Sequence, residues 1–155
     1  MISKEDLSAI LRGKVVFVGI GNPLRGDDGF GPALIQALDG QINAVCIDAG
    51  TAPESYAGKV IKQNPDTVVF VDAADLALAP GACEILGKSD ILKTGFTTHD
   101  LSPALLIEFL ESQITSGIYL LGVQPKVTAF GSEMSPEVSQ TLQELARMIK
   151  EVLHA

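Results

Sequence analysis

Four side chains in this 155-residue sequence could do chemistry together: the carboxylates of Asp28, Asp48 and Asp72 and the imidazole of His99. Each aspartate follows an apolar run that reads as a β-strand. If those strands are parallel, all three carboxylates reach one edge of one sheet. His99, one of only two histidines, stands just before Ser102-Pro103, a helix start. A helix returning across a parallel sheet begins at that same edge, where such folds bind ligands. Carboxylates gathered without a counterion repel, and one takes up a proton unless a cation relieves the charge. Two carboxylates and an imidazole form a borderline-hard ligand set. It suits a divalent transition metal such as zinc or nickel and leaves positions for water or a carbonyl. Such a site can polarise the carbonyl and activate the water. Each residue alone also has a plainer reading: Asp28 as a helix cap at the positive end of the dipole, Asp48 and Asp72 as loop caps, and His99 as a hydrogen-bonded loop histidine. Their convergence on one edge favours the site. His154, in the last turn of the final helix, is given no role.

Other signatures fail on spacing. Gly19-Ile20-Gly21 begins like a dinucleotide fingerprint, but Leu24 stands where the third glycine belongs, and Asp27-Asp28 would repel a pyrophosphate. P-loop, His-Glu-x-x-His, EF-hand and Gly-x-Ser-x-Gly patterns are absent. Cys46 and Cys83, the only cysteines, lie in apolar strand-like runs and read as buried free thiols. The formal charge of −8 opposes a nucleic-acid or anionic-membrane partner. It suits a cationic partner, either a basic peptide or a metal ion, although solubility accounts for it equally well. Residues 1–14 lack the apolar core of a signal peptide and no run approaches a membrane span, so a cytoplasmic protein is expected, and a monomer because no long apolar stripe is left over once the core is assigned.

The elements that must position these groups alternate. Ser3 and Asp6 suggest a capping box on a short helix reaching Leu11. Residues 15–18 are apolar throughout, as in a strand buried on both faces. A Gly-rich loop spans residues 19–29, and Phe30, Ala33, Leu34, Ala37 and Leu38 recur at helical spacing. A second strand is expected at residues 44–47, then a helix with Thr51 as N-cap and Pro53 in its first turn. Residues 67–71 form a third strand. Too few residues separate it from 83–86 for a parallel crossover, so that strand should be antiparallel. Ser102-Pro103 starts a helix with Leu105, Leu106, Phe109, Leu110 and Ile114 on its apolar face. Residues 118–123 form the last strand, and Ser135-Pro136 starts the last helix. The fold class is α/β: a mostly parallel twisted sheet of about five strands, one antiparallel, with helices on both faces.

Gly19-Ile20-Gly21-Asn22-Pro23-Leu24-Arg25-Gly26-Asp27-Asp28-Gly29-Phe30-Gly31 resembles the opening signature of the hydrogenase maturation endopeptidases. So do Asp48-Ala49-Gly50-Thr51-Ala52-Pro53-Glu54, Val71-Asp72-Ala73-Ala74-Asp75, Thr97-Thr98-His99-Asp100-Leu101 and Gly122-Val123-Gln124-Pro125, in the same order. The resemblance covers nearly everything from Val15 to the last helix. It implies a cytoplasmic peptidase of parallel-sheet α/β fold. Its substrate would be the large-subunit precursor of a nickel–iron hydrogenase, from which it removes a short C-terminal extension after nickel insertion. The substrate's nickel would be the recognition element, and zinc or cadmium could substitute for it. The metal contacts fall on Asp28, Asp72 and His99, with Asp48 in an accessory role as positioning group or general base. Asp28 is assigned over Asp27 because it stands directly before Gly29. Many members carry glutamate there. The Asp-Asp-Gly form belongs to the branch acting on formate-hydrogenlyase and other energy-converting hydrogenases. Residues 1–155 would then be a single peptidase domain, with residues 1–13 a helical addition.

Two other readings compete. A strand leading into Gly-x-Gly-Asn-Pro is also similar to the peptidyl-tRNA hydrolases. A chain at −8 with no basic face poorly suits their polyanionic substrate, and no histidine precedes His99. A non-catalytic nickel-sensing assembly chaperone would use the same pocket without cutting.

Overall fold

A computed structural model describes residues 2–94 and 102–154. Five strands form one sheet in the order β2-β1-β3-β5-β4, with β1 at Val15–Ile20, β2 at Val45–Gly50, β3 at Thr67–Ala73, β4 at Cys83–Leu86 and β5 at Gly117–Val123. β1, β2, β3 and β5 are mutually parallel. β4 runs antiparallel to β5, with Cys83 opposite Val123 and Leu86 opposite Leu120. The short β3–β4 connection allows nothing else. Every residue of β1 and of β3 is buried, which is why both read as unbroken apolar runs.

Helices cover both faces. α1 (Lys4–Ile10), α2 (Phe30–Leu38) and α6 (Pro136–Val152) lie on one face, where Leu7, Leu34, Leu38, Leu145 and Ile149 pack with Phe17 and Val69. α3 (Ala57–Lys62), α4 (Lys88–Thr94) and α5 (Pro103–Gln113) lie on the other, where Val60, Ile91, Ile107 and Leu110 meet Val18, Phe70 and Leu120. The Ser3–Asp6 capping box forms as expected. α1 is tied into the core: Leu7 is buried, and the Thr67 hydroxyl donates to the carbonyls of Ile10 (3.2 Å) and Arg12 (2.9 Å).

Two local expectations give way, and one helix is additional to them. Thr51 does not cap a helix. The chain passes through a 3-10 turn at Pro53–Tyr56, with Ala52 at its N-cap and no side-chain capping bond, before α3 begins. α4 had no signature strong enough to be expected. The buried stripe of α5 is Leu106, Ile107 and Leu110, whereas Leu105 and Phe109 are 58% and 50% exposed. Each residue turns an α-helix by about 100°, so a stripe that takes Ile107 on one flank puts Leu105 and Phe109 outside the other.

The strand order reverses direction at β1, and the chain leaves β1 towards α2 on one face but β3 towards elements on the other. That switch point creates a crevice at the C-terminal ends of β1 and β3. Close approach of α2 seals one side. A Cβ on Gly31 would lie 2.2 Å from the Ile20 carbonyl oxygen and 2.4 Å from that of Val71. These are backbone atoms that cannot swing aside. Gly-to-Ala inside a helix ordinarily stabilises by about 0.4–1 kcal/mol. Gly31→Ala is expected to do the reverse, costing about 1–3 kcal/mol through overpacking and lowering the midpoint of thermal unfolding, read by circular dichroism.

Candidate active site

The Gly-rich loop after β1 first forms a turn. The Asn22 side-chain oxygen accepts from the Leu24 N–H (2.9 Å), and the Asn22 carbonyl accepts from the Arg25 N–H (3.0 Å). A 3-10 turn, Gly26–Gly29, follows and packs against β3. Gly26 has φ +55, and a Cβ there would lie 2.7 Å from the Val127 carbonyl oxygen. Only glycine fits, because the loop joining β5 to α6 passes directly alongside.

Asp27 makes that contact permanent. It is fully buried, and both carboxylate oxygens are committed. Oδ1 accepts from the Ser135 N–H (2.7 Å). Oδ2 accepts from the N–H groups of Lys126 (2.8 Å) and Val127 (3.0 Å) and from the Ser135 hydroxyl (2.9 Å). The Asp27 N–H in turn donates to the Val127 carbonyl (2.8 Å). Burial pushes the carboxyl up. The N–H groups of Val127, Lys126 and Ser135 and the Ser135 hydroxyl favour the charged form more strongly, and hold it below the usual aspartate range. Asp27 is therefore an ionised brace with no oxygen left for a ligand.

Asp28 is the opposite case. It is 4% exposed, and its Oδ2 accepts from the Asn22 N–H (3.0 Å). Its Oδ1 is buried and has no hydrogen-bond partner among the described residues. A buried polar atom without a hydrogen bond costs about 1–3 kcal/mol, so this oxygen is a candidate ligand atom. Asp72, also fully buried, occupies the last position but one of β3, opposite Gly122 of β5. Asp28, in the turn after β1, and Asp72, near the end of β3, thus lie at the same C-terminal edge of the sheet beside the switch point, and carboxylate oxygens are donors that suit a divalent cation.

Asp48 reaches the same sheet edge on the other face. It shares a register row with Gly19, and Gly19 with Val71, on the α2 side of the sheet, whereas Asp72 alternates with Phe70 and Val68. Asp48 is exposed, its Oδ1 accepts from the Gly50 N–H (3.0 Å), and it lines a groove with Pro23, Pro32, Gln36 and Asp39. His99 lies outside the described residues. Among those residues, no three His, Cys, Asp or Glu side chains cluster so as to hold a metal ion. Burial, with Asp39 adding, pushes the Cys46 thiol up to about 11. Burial also raises Cys83. Both stay protonated at neutral pH, which disfavours a thiolate nucleophile.

Sequence reasoning missed the work of Asp27 and Ser135. A carboxylate matched with the N-cap serine of a helix more than a hundred positions away leaves no local signal.

Comparison with known proteins adds to this geometry. Residues 33–153 match the family described as HycI, hydrogenase maturation protease. The chain belongs to that family. It is 32% identical over 138 residues to the hydrogenase 3 maturation protease of Escherichia coli, covering 87% of this chain and 88% of that protein. The crystal structure of a nickel–iron hydrogenase maturation protease HycI from Thermococcus kodakarensis superposes with TM-score 0.86 at 33% identity, over 95% of this chain and 97% of that one. A solution structure of the endopeptidase HycI from Escherichia coli gives 0.79 at 30% identity, over 90% of each. The chain is thus a peptidase, which sets the esterase and chaperone readings aside.

The brace has a pH signature. Its folded pKa lies below the unfolded aspartate value of about 3.9. Its stabilisation is therefore complete above that value and lost as pH falls through the lower folded value. Asp27→Asn is expected to lose about 1.5–3 kcal/mol at pH 7, the worth of a charge-assisted hydrogen bond. Its stability should also decline less steeply than wild type below about pH 4. Urea titrations at several pH values measure both.

Proposed function

We propose that the protein removes the C-terminal extension of a nickel–iron hydrogenase large-subunit precursor once nickel is in place. The substrate's own nickel would be held by Asp28, Asp72 and His99. The observation that carries this reading is the buried Oδ1 of Asp28, without a partner among the described residues, at the sheet edge where β3 brings Asp72. Family membership supplies the reaction class, and the acidic crevice supplies a reason for the reaction to wait for a cation. A nickel-loaded precursor would bring a cation to these carboxylates, and an apo precursor would not.

On this reading nickel belongs to the substrate, and zinc or cadmium could occupy the same donors. Fixing the precursor through its metal holds the scissile carbonyl beside the crevice and converts an encounter into an oriented reaction. Water then attacks the carbonyl carbon. Its proton passes to a carboxylate and then to the departing amine as the C–N bond breaks. Asp48 is an accessory group, whether by positioning the substrate or by accepting that proton from the groove side. The enzyme would work in the cytoplasm as a monomer. Among the described residues, no helix is long and apolar enough to cross a membrane.

Mass spectrometry of nickel-loaded and nickel-free precursor tests the proposal. The tail should be lost only from the loaded form. Asp28→Asn, Asp72→Asn and His99→Ala should each slow cleavage by about 100-fold or more, the scale of removing one preorganised electrostatic contact. Asp48→Asn should slow it less. Equal cleavage of both precursor forms, or full activity in the Asp28 variant, overturns the metal-recognition assignment.

A further inference from the structure

The two most exposed large apolar side chains among the described residues flank the crevice. Phe130 is 70% exposed and Leu24 is 61% exposed. Pro23 and Ala129 beside them are exposed as well. Large apolar groups on loops usually fold inward or ride on mobile tips. These sit on backbone that is tied down. The Gly131 N–H donates to the Leu24 carbonyl (2.7 Å), the Gly26 N–H to the Ser132 carbonyl (3.1 Å) and the Asp27 N–H to the Val127 carbonyl (2.8 Å). The buried Asp27 carboxylate clamps the same two loops from below. Apolar side chains displayed on a rigid support bind with little loss of conformational entropy, as anchor residues of protein interfaces do.

We propose that Pro23, Leu24, Ala129 and Phe130 form a preorganised apolar ridge that docks the folded body of the precursor. This rests on the reading of the crevice given above. The occupant follows from continuity with the site. Leu24 lies between Asn22, whose N–H binds Asp28 Oδ2, and Arg25, whose carbonyl accepts the Asp28 N–H (3.1 Å). A protein surface that brings a metal to Asp28 Oδ1 therefore meets this turn. Binding energy gathered on the ridge, away from the scissile bond, serves to orient that bond. The ridge takes an apolar protein surface and touches no reacting atom, so its loss should weaken capture without slowing the bond-breaking step.

The test compares wild type with Leu24→Ser, Phe130→Ser and the double variant. Leu92→Ser serves as a control at an apolar side chain 45% exposed on α4. Affinity for nickel-loaded precursor is read by biolayer interferometry, together with kcat, KM, thermal midpoint and sedimentation. The double variant should bind about tenfold or more weakly, as loss of interface anchors predicts. Its KM should rise in step, with kcat, melting and oligomeric state unchanged, and the control should match wild type. Leu24→Met and Phe130→Leu, which keep the surface apolar, should retain affinity. Unchanged affinity in the double variant overturns the ridge. So does a change confined to self-association, which would make a second copy of the chain the occupant. If wild type binds the precursor but does not cut it, the proteolytic reading falls while the affinity comparison still decides the ridge. If wild type does not bind it, both fall.

Discussion

The buried carboxylate of Asp27 is the interaction on which the site depends. Four donors from the loop between β5 and α6 converge on its two oxygens, at 2.7–3.0 Å. One of those donors is the backbone N–H of Ser135, whose hydroxyl both donates to Asp27 and caps α6 through the Val138 N–H (3.3 Å). A charge this deep in the protein is tolerable only when its hydrogen-bonding capacity is filled. Filling it forces the loop after β1 and the loop after β5 into one body. Gly26 completes the constraint, since a side chain there would strike the Val127 carbonyl. The start of α6, the end of β5 and the turn carrying Asp28 therefore cannot move independently.

That rigidity explains how adjacent aspartates come to opposite chemical fates. A 3-10 turn rotates successive side chains by roughly 120°. When Asp27 points into its cradle, Asp28 must point elsewhere, here with Oδ2 on the Asn22 N–H. Asp28 keeps one structural bond, from the Asn22 N–H, which fixes the carboxylate plane while leaving Oδ1 without a partner among the described residues. The stability forgone at Oδ1 can be sustained because Asp27 secures the turn more than adequately. The proposed site would thus rest on a local deficit that a neighbouring surplus offsets.

How legible all this was in the sequence depended on whether a signal was local. β1 and β3 were evident as unbroken apolar runs, because strands buried on both faces need no alternation. The antiparallel β4 followed from connection length alone. That Asp28 and Asp72 lie at one sheet edge followed from strand direction, without any side-chain detail. Asp48 shows the limit of that logic: parallel strands guarantee a common edge, but residue parity decides the face, and its register with Gly19 turns it to the α2 side. The α5 face was misjudged because both flanks of that helix are apolar, so periodicity could not choose between Ile107 and Leu105. Which member of Asp27-Asp28 would be the brace was undecidable from the pair itself. The deciding partner, Ser135, meets Asp27 only through the fold.

The same geometry bears on how a site of this kind would meet a cation. A tight resting metal site surrounds its ion and presents several fixed donors at once. Here Asp28 follows β1 and Asp72 ends β3, at one edge of the sheet, and His99 is the third donor of the proposed set. Two carboxylates and an imidazole would leave positions of a cation's coordination open. On the proposed reading, an ion already held by another protein would bring its remaining ligands with it. A partner presenting both a seated metal and a surface to meet the surrounding loops would then satisfy the site, and a precursor without its metal would not.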